Sequence, residues 1–181
     1  AYLKDKYHKP GNVYCGLVHR LDRPVGGVAV FAKTSKAASR LSESIRTDAF
    51  TKTYHAVIQG PLPKDRTLID YLIKDEKTNM TTVTSKDKGK YCELRFEPIK
   101  TIDNLSLVRI ELITGRSHQI RVQFASRGCP LWGDARYNPS SKAGQQLALW
   151  ATSLSFPHPI TQERRVFKSE LPRTLPWNQF E

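Results

Sequence analysis

The sequence predicts an α+β fold built on a mixed, mostly antiparallel central sheet. Segments with strand character outnumber segments with helix character, and they do not follow the repeating βα order of a parallel sheet. No internal repeat and no linker-like stretch divides the 181 residues. The chain is therefore expected to be a single domain over residues 1–181, long enough to bury a sizeable core.

The first regular elements are expected between residues 25 and 48. An apolar run with β character covers residues 25–32. Thr34 or Ser35 can then cap a helix that ends near Asp48. The spacing of its apolar residues fits one face of a helix: Ala38, Leu41 and Ile45.

The middle of the chain is predicted to be rich in strands. Residues 54–60 alternate enough for a strand that ends before two prolines. The polar stretch 74–90 is expected to form a hairpin or a mobile loop. Two further strands are predicted at residues 91–99 and 105–114, separated by an Asp-Asn turn.

The last third begins with a short predicted helix. Ser117 is a suitable N-cap, and Gly128 is a suitable residue just past the helix end. A strand is expected at residues 146–156. The proline-rich tail from Pro157 onward is expected to wrap around the domain with little regular structure.

The composition points to an anionic partner. Lys and Arg total 29 against 17 Asp and Glu, a formal net charge of +12. Such an excess favours nucleic acid, although a basic protein with a solvated surface is the alternative. No stretch is apolar and long enough to span a membrane, and no signal peptide is apparent.

The cysteines and histidines show no metal-binding pattern. The three cysteines are widely spaced without a CxxC pair, and the five histidines lack ligand spacing. We therefore expect neither a metal nor a disulfide framework. A reducing, cytoplasmic setting fits best.

Two basic stretches each contain a single carboxylate. Residues 17–42 carry five Lys or Arg residues and one acid, Asp22. Residues 116–142 also carry five Lys or Arg residues and one acid, Asp134. A carboxylate among arginines is favoured in its charged form and can act as a nucleophile, a base or an electrostatic anchor. A structural salt bridge on a loop is an equally good interpretation of the pattern.

Residues 115–121 (GRSHQIR) combine cations with a helix start. A helix N-terminus presents free N–H groups to an anion, and Arg116 would add a fork suited to phosphate. His118 and Arg121 are three apart and share a face, so Arg121 can point towards a carboxylate. Ordinary surface arginines are the alternative. Tyr54 can either stack on a base or serve as a core tyrosine.

Four segments in order resemble the RluA-type pseudouridine synthases. The resemblance covers most of the chain. The segments are HRLD followed by AKTSKAA (His19–Asp22 and Ala32–Ala38), KTYHAVIQG (Lys52–Gly60), TGRSHQIRVQFASRGCPLWGDARY (Thr114–Tyr137) and LALWATSLSFPHP (Leu147–Pro159).

The resemblance implies both a fold and an activity. Members isomerise uridine in RNA to pseudouridine, and they share a mostly antiparallel sheet around a central cleft. They use no metal or organic cofactor. The implied partner is ribosomal or transfer RNA. A monomer is expected, without a membrane association.

The resemblance also implies roles for eight residues. Asp22 matches the catalytic aspartate, Tyr54 the tyrosine that packs on the target base and is implicated in proton transfer, and Arg121 the basic partner of the aspartate. Arg20 matches an arginine associated with opening the RNA. Ile120 and Leu149 match positions that line the base pocket. Arg116 and His118 match RNA-facing motif positions.

The chain departs from the family pattern in four places. Val25-Gly26-Gly27 stands where TSG is common, and Leu149-Trp150-Ala151 stands where LHA is common. The family's opening strand with its NKP-type motif is not found, and no S4-type RNA-binding domain is recognised. We expect an altered hydrogen-bond pattern at the first site and altered packing at the second.

Two other functions are compatible with parts of the sequence. An RNA-binding module or RNA chaperone without turnover fits the charge. A metal-dependent nuclease or phosphatase has little support, because only Asp22 and Asp134 supply carboxylates in the motif regions.

Overall fold

The computed structural model describes residues 2–8 and 10–181. The regular elements are, in chain order, α1 (Tyr2–Lys6), β1 (Gly16–Leu17), β2 (Gly26–Gly27), β3 (Phe31–Ala32), α2 (Ser35–Arg46), β4 (Thr51–Gln59), β5 (Thr67–Asp75), β6 (Met80–Thr84), β7 (Lys90–Ile102), β8 (Leu105–Leu112), α3 (Gln119–Ala125), β9 (Leu149–Pro157), β10 (Arg164–Lys168) and a short 3-10 helix (Trp177–Phe180).

Within the described residues, one eight-stranded sheet organises the fold. Its strand order is β10-β9-β4-β8-β7-β5-β6, and every neighbouring pair along this path is antiparallel. β2 adds in parallel to the free edge of the first half of β9. This mixed, mostly antiparallel sheet confirms the predicted fold class.

Helix α2 forms as its sequence predicts. Thr34 is the N-cap, and its side-chain oxygen accepts a hydrogen bond from the Ala37 N–H at 3.1 Å. The predicted apolar stripe packs against Leu154 and Phe156 of β9. This packing fixes the chain that follows the Asp22 loop against the sheet.

Helix α3 forms, but it does not begin where the sequence indicates. The N-cap position is His118 in the left-handed region (φ 51°), not Ser117, and no side chain caps the helix. The Gln119 side chain instead accepts the Arg116 N–H at 3.0 Å and bonds Thr114, which closes the turn before the helix. Ile120 and Phe124 of α3 enter the main core.

Three other predictions of local structure were incomplete or wrong. The apolar run 25–32 splits into β2 and β3, and the hairpin at 74–90 is preceded by a long strand, β5, that was not expected. The tail after Pro157 contains β10 and a 3-10 helix rather than irregular chain. Gly27 explains the break in the first run: its φ is +115°, and a Cβ there would lie 2.1 Å from the Ala151 carbonyl oxygen.

The sheet carries hydrophobic clusters on both faces. The larger one joins residues of β4, β9 and α3, among them Tyr54, Leu149, Ile120 and Phe124. The cluster on the other face includes all three tryptophans: Trp132, Trp150 and Trp177. Among the described helices, none has the length and apolar character needed to cross a membrane.

Candidate active site

A cavity of about 780 Å³ lies between the Asp22 loop, β4, the start of β9 and residues 115–121. It is lined by all eight residues that the sequence analysis singled out. These are Arg20, Asp22, Tyr54, Arg116, His118, Ile120, Arg121 and Leu149. Residues up to 129 positions apart in the sequence therefore contribute to one site.

Arg121 is held in place by a buried ion pair with Asp134. The Arg121 Nε donates to Asp134 Oδ2 at 2.8 Å, and Nη2 donates to Oδ1 at 2.6 Å. Only 5% of Arg121 and 1% of Asp134 are exposed. Asp134 also accepts the backbone N–H groups of Arg136 and Tyr137. This fork-to-fork geometry leaves one edge of the guanidinium for another partner.

That partner is Asp22. The Arg121 Nη1 donates to Asp22 Oδ2, while Asp22 Oδ1 accepts the Arg23 backbone N–H at 2.9 Å. The Asp22 side chain is 25% exposed, so the carboxylate is supported from the protein side and open to the cavity. Its backbone is fixed by a turn in which Val25 donates to the Asp22 carbonyl.

The two carboxylates keep Arg121 charged. Burial disfavours the charged guanidinium and is the largest single influence on the pKa of Arg121. The hydrogen bonds and charge of Asp134, followed by those of Asp22, outweigh burial and raise the pKa above its usual value. Arg121 is therefore a permanent cation beside Asp22.

His118 is on the other side of Asp22. Its Nε2 lies 3.7 Å from Asp22 Oδ1, and its Nδ1 is hydrogen-bonded to the Tyr137 hydroxyl at 2.7 Å. Burial lowers the pKa of His118. The charge of Asp22 partly opposes this, while Arg121 and Arg136 reinforce it. The ring is thus favoured in its neutral form at neutral pH.

Tyr54, Ile120 and Leu149 form an apolar side of the cavity. Tyr54 projects from β4 and is 7% exposed. Burial raises the pKa of its phenol to about 12, so the hydroxyl is protonated at neutral pH. The Tyr54 ring belongs to the hydrophobic core, as one interpretation of the sequence expects, and it also lines the cavity, so stacking on a base stays a prediction.

The cations at the mouth of the cavity include residues that the sequence analysis did not select. Arg20 and Arg116 are exposed, and the Arg116 Nε donates to the Tyr91 carbonyl at 2.9 Å. Lys52 and Lys74 also line the cavity. Burial lowers the pKa of Lys52, with a smaller opposing effect of Asp48. Lys52 could have been found from its spacing, since it lies two residues before Tyr54 in one strand.

Two of the departures from the family pattern, residues 25–27 and residues 149–151, are in contact. The ring of Trp150 packs so closely on Gly26 that a Cβ there would lie 2.1 Å from its Cζ3. Gly26 also pairs with Trp150 in the parallel β2–β9 ladder. The glycine therefore makes room for the indole, and each departure accommodates the other.

Metal ligation is not supported by the grouping of side chains. Over residues 2–8 and 10–181, no group of three or more His, Cys, Asp or Glu side chains is arranged to hold an ion. The two carboxylates of the site are both paired with Arg121.

The fold is that of pseudouridylate synthase domains. Human RNA Pseudouridylate Synthase Domain Containing 1 superposes with a TM-score of 0.75 at 21% identity, covering 93% of this chain and 73% of that one. Human RNA Pseudouridylate Synthase Domain Containing 4 gives a TM-score of 0.72 at 23% identity, covering 88% of this chain and 72% of that one.

The family is identified by sequence. A family model for RNA pseudouridylate synthase matches residues 2–126, and the chain belongs to this family, as its resemblance to the RluA type indicated. The uncharacterized RNA pseudouridine synthase YhcT of Bacillus subtilis is 36% identical over 160 residues, which cover 87% of this chain and 53% of the relative. Ribosomal large subunit pseudouridine synthase D of Zymomonas mobilis is 32% identical over 171 residues, which cover 88% and 54%. The chain spans about half the length of these relatives.

Proposed function

We propose that this chain isomerises uridine in RNA to pseudouridine, with Asp22 as the catalytic carboxylate. One observation carries the proposal. Asp22 is bonded on one oxygen to a buried arginine that is itself fixed by Asp134, and it opens into a cavity with a tyrosine wall. A carboxylate fixed in this way is preorganised for chemistry on a bound nucleotide.

The cavity suits a single extruded nucleotide. Its volume of about 780 Å³ falls within the range typical of small-ligand sites. A uridine within folded RNA must leave its stack to reach Asp22, at a cost of a few kcal/mol. We propose that stacking on Tyr54 offsets part of this cost, and that Ile120 and Leu149 exclude water while the detached base turns.

The reaction breaks the bond from N1 to the sugar and forms a bond from C5 to the same sugar carbon. C5 loses a proton and N1 gains one, so the reaction is an isomerisation. Asp22 either attacks the sugar or removes a sugar proton, and the geometry is compatible with both. Tyr54 is proposed to take part in proton transfer, starting from its protonated form.

The RNA is proposed to lie across the basic mouth of the cavity. Arg20 and Arg116 are the expected contacts, and Lys52 adds to them. Phosphate contacts from such side chains supply salt-dependent affinity. Since relatives are named ribosomal large subunit pseudouridine synthase D, ribosomal RNA is the first substrate to test, followed by transfer RNA.

The remaining expectations also stay proposals. A single catalytic domain is supported by one sheet that spans β2 to β10. We also propose that the protein is a monomer, which size-exclusion chromatography with light scattering would test. A cytoplasmic location is supported by the free cysteines, two of which are buried.

The test is tritium release from RNA labelled at uridine C5. The wild-type protein is expected to release tritium, Asp22→Asn to release none, and Asp103→Asn to match the wild type. Asp103 is a suitable control because it is exposed in the β7–β8 turn with φ 51°, a conformation that asparagine tolerates. RNA binding without release by the wild type would favour the RNA-binding module instead. Release abolished by EDTA would favour a metal-dependent reaction.

A further inference from the structure

The imidazole of His118 is hydrogen-bonded to the protein on one nitrogen and lies near Asp22 with the other. Nδ1 bonds the Tyr137 hydroxyl at 2.7 Å, and Nε2 lies 3.7 Å from Asp22 Oδ1. The His118 side chain is only 7% exposed. A direct contact with RNA, which its place in the motif suggested, would have to reach a ring that is already enclosed.

The hydrogen bonds of Tyr137 favour one tautomer of His118. The backbone N–H of Thr81, in β6, donates to the Tyr137 hydroxyl oxygen at 2.9 Å. The single hydroxyl hydrogen is then free to donate to His118 Nδ1, which satisfies both donors. With Nδ1 as the acceptor, the neutral ring carries its hydrogen on Nε2, and that hydrogen faces Asp22.

We propose that His118 is a positioning residue for Asp22, held by Tyr137 as the Nε2–H tautomer. The inference rests on the proposed function of Asp22. Arg121 engages Oδ2 of the carboxylate, whereas His118 and the Arg23 N–H face Oδ1. Arg121 and the Arg23 N–H are hydrogen-bonded to the two oxygens, and the Nε2–H dipole of His118, directed at Oδ1 from 3.7 Å, adds an electrostatic restraint on rotation of the carboxylate.

Two further observations support this role. His118 has a φ of 51°, an uncommon conformation for a residue with a side chain, and it occurs where α3 meets the cavity. The Tyr137 ring also lies under the Arg121 guanidinium, 5.0 Å from its centroid to Cζ. One tyrosine thus supports both side chains that hold Asp22.

The test removes only the hydroxyl, with Tyr137→Phe. The phenyl ring under Arg121 is kept. Single-turnover tritium release is expected to fall about 10- to 100-fold, as for a small misplacement of a catalytic group. The RNA dissociation constant is expected to stay within about twofold, because no RNA contact is changed. Tyr71→Phe, on β5 and outside the cavity, is the matched control and should retain the wild-type rate.

A spectroscopic measurement reads the tautomer directly. Protein labelled with ¹⁵N-histidine is examined by long-range ¹H–¹⁵N correlation at pH 7.5, and the His118 signals are assigned by their loss in His118→Gln. The wild type is expected to show the Nε2–H form, and Tyr137→Phe a mixture of the two neutral forms. His118→Gln should retain more of the rate than His118→Leu, because an amide N–H can occupy the place of Nε2–H.

The outcomes separate this inference from the proposed function. An Nδ1–H ring in the wild type, or an unchanged rate in Tyr137→Phe, would overturn the positioning role while leaving the function intact. Equal rates for His118→Gln and His118→Leu, in step with their thermal stabilities, would also overturn it. No release by the wild type on any RNA would overturn both.

Discussion

Asp134→Asn should destabilise the folded protein by more than the loss of an exposed ion pair does. The change keeps the shape of the side chain but removes the charge that neutralises Arg121, and it turns an amide N–H₂ group towards a guanidinium. Removal of one partner from a buried ion pair generally costs about 3–5 kcal/mol. Asp22 still pairs with Arg121, so we expect the lower end, about 3 kcal/mol. For a chain of this size, that corresponds to a fall in Tm of about 6–12 °C.

The assay is thermal unfolding followed by circular dichroism, with tritium release measured well below the Tm. Glu43→Gln is the control. It removes one partner of the Arg46–Glu43 pair on α2, whose side chains are both exposed, and it should cost less than about 1 kcal/mol. Asp22→Asn should instead lose turnover with little change in Tm, because Asp134 still neutralises Arg121. A Tm for Asp134→Asn within 2 °C of the wild type would refute the reasoning.

Three further predictions concern other parts of the site and the sheet. Tyr54→Phe should keep RNA affinity, since the ring is retained, but lower single-turnover release by about 10²–10⁴-fold if the hydroxyl transfers a proton; an unchanged rate would restrict Tyr54 to stacking. Gly26→Ser should destabilise the protein, but less so in a Trp150→His background, with a coupling of about 0.5–3 kcal/mol in urea unfolding; additive effects would contradict the contact. Burial, and to a lesser degree Arg109, lowers the pKa of His55 below its ordinary value of 6.5, so the unfolded chain takes up the proton more readily. The contribution of neutral His55 to the free energy of unfolding is therefore present above pH 6.5 and is lost as the pH falls below 6.5. His55→Gln should flatten this dependence of the free energy of unfolding on pH.

Local signals in the sequence were sufficient to predict a helix start where the structure depends on one short segment alone. Thr34 caps α2 because its hydroxyl oxygen reaches an N–H three residues on, which a sequence displays directly. Ser117 offered the same signal and was wrong. The helix begins after His118, which adopts a left-handed conformation; its ring is hydrogen-bonded to Tyr137 and lies 3.7 Å from Asp22. Tertiary contacts overrode the local preference at the edge of the site.

The exposed edge strand β10 was harder to predict than the central strands β4 and β8. β4 and β8 carry buried apolar residues and were expected. β10 is exposed along its whole length, so no alternation of buried and exposed residues marks it. It forms because β9 offers a free edge after residue 152, which only the assembled sheet shows.

The individual residues of the site were predictable from the sequence, but the contacts that join them were not. Asp22 and Asp134 each stood out as the only acid in a basic stretch, and Arg121 was expected beside a carboxylate. Nothing in the sequence indicates that one arginine serves both acids, since Asp22 lies 99 residues from it. Tyr137 carried no signal of its own, because its contacts with Thr81 and His118 join separate elements.

The shared arginine explains why two acids of similar surroundings in the sequence can have different roles. Asp134 occupies two of the three guanidinium nitrogens and is fully buried, so neither of its oxygens can reach the cavity. Asp22 receives only the third nitrogen, on one oxygen, and stays partly exposed. Because Oδ2 of Asp22 accepts a hydrogen bond from Arg121 alone, whereas Oδ1 faces both Arg23 and His118, Oδ2 keeps a lone pair that can face the cavity. A single carboxylate beside Arg121 would have been drawn into the fork-to-fork pair and closed off from the cavity. Asp134 thus leaves Asp22 available for chemistry.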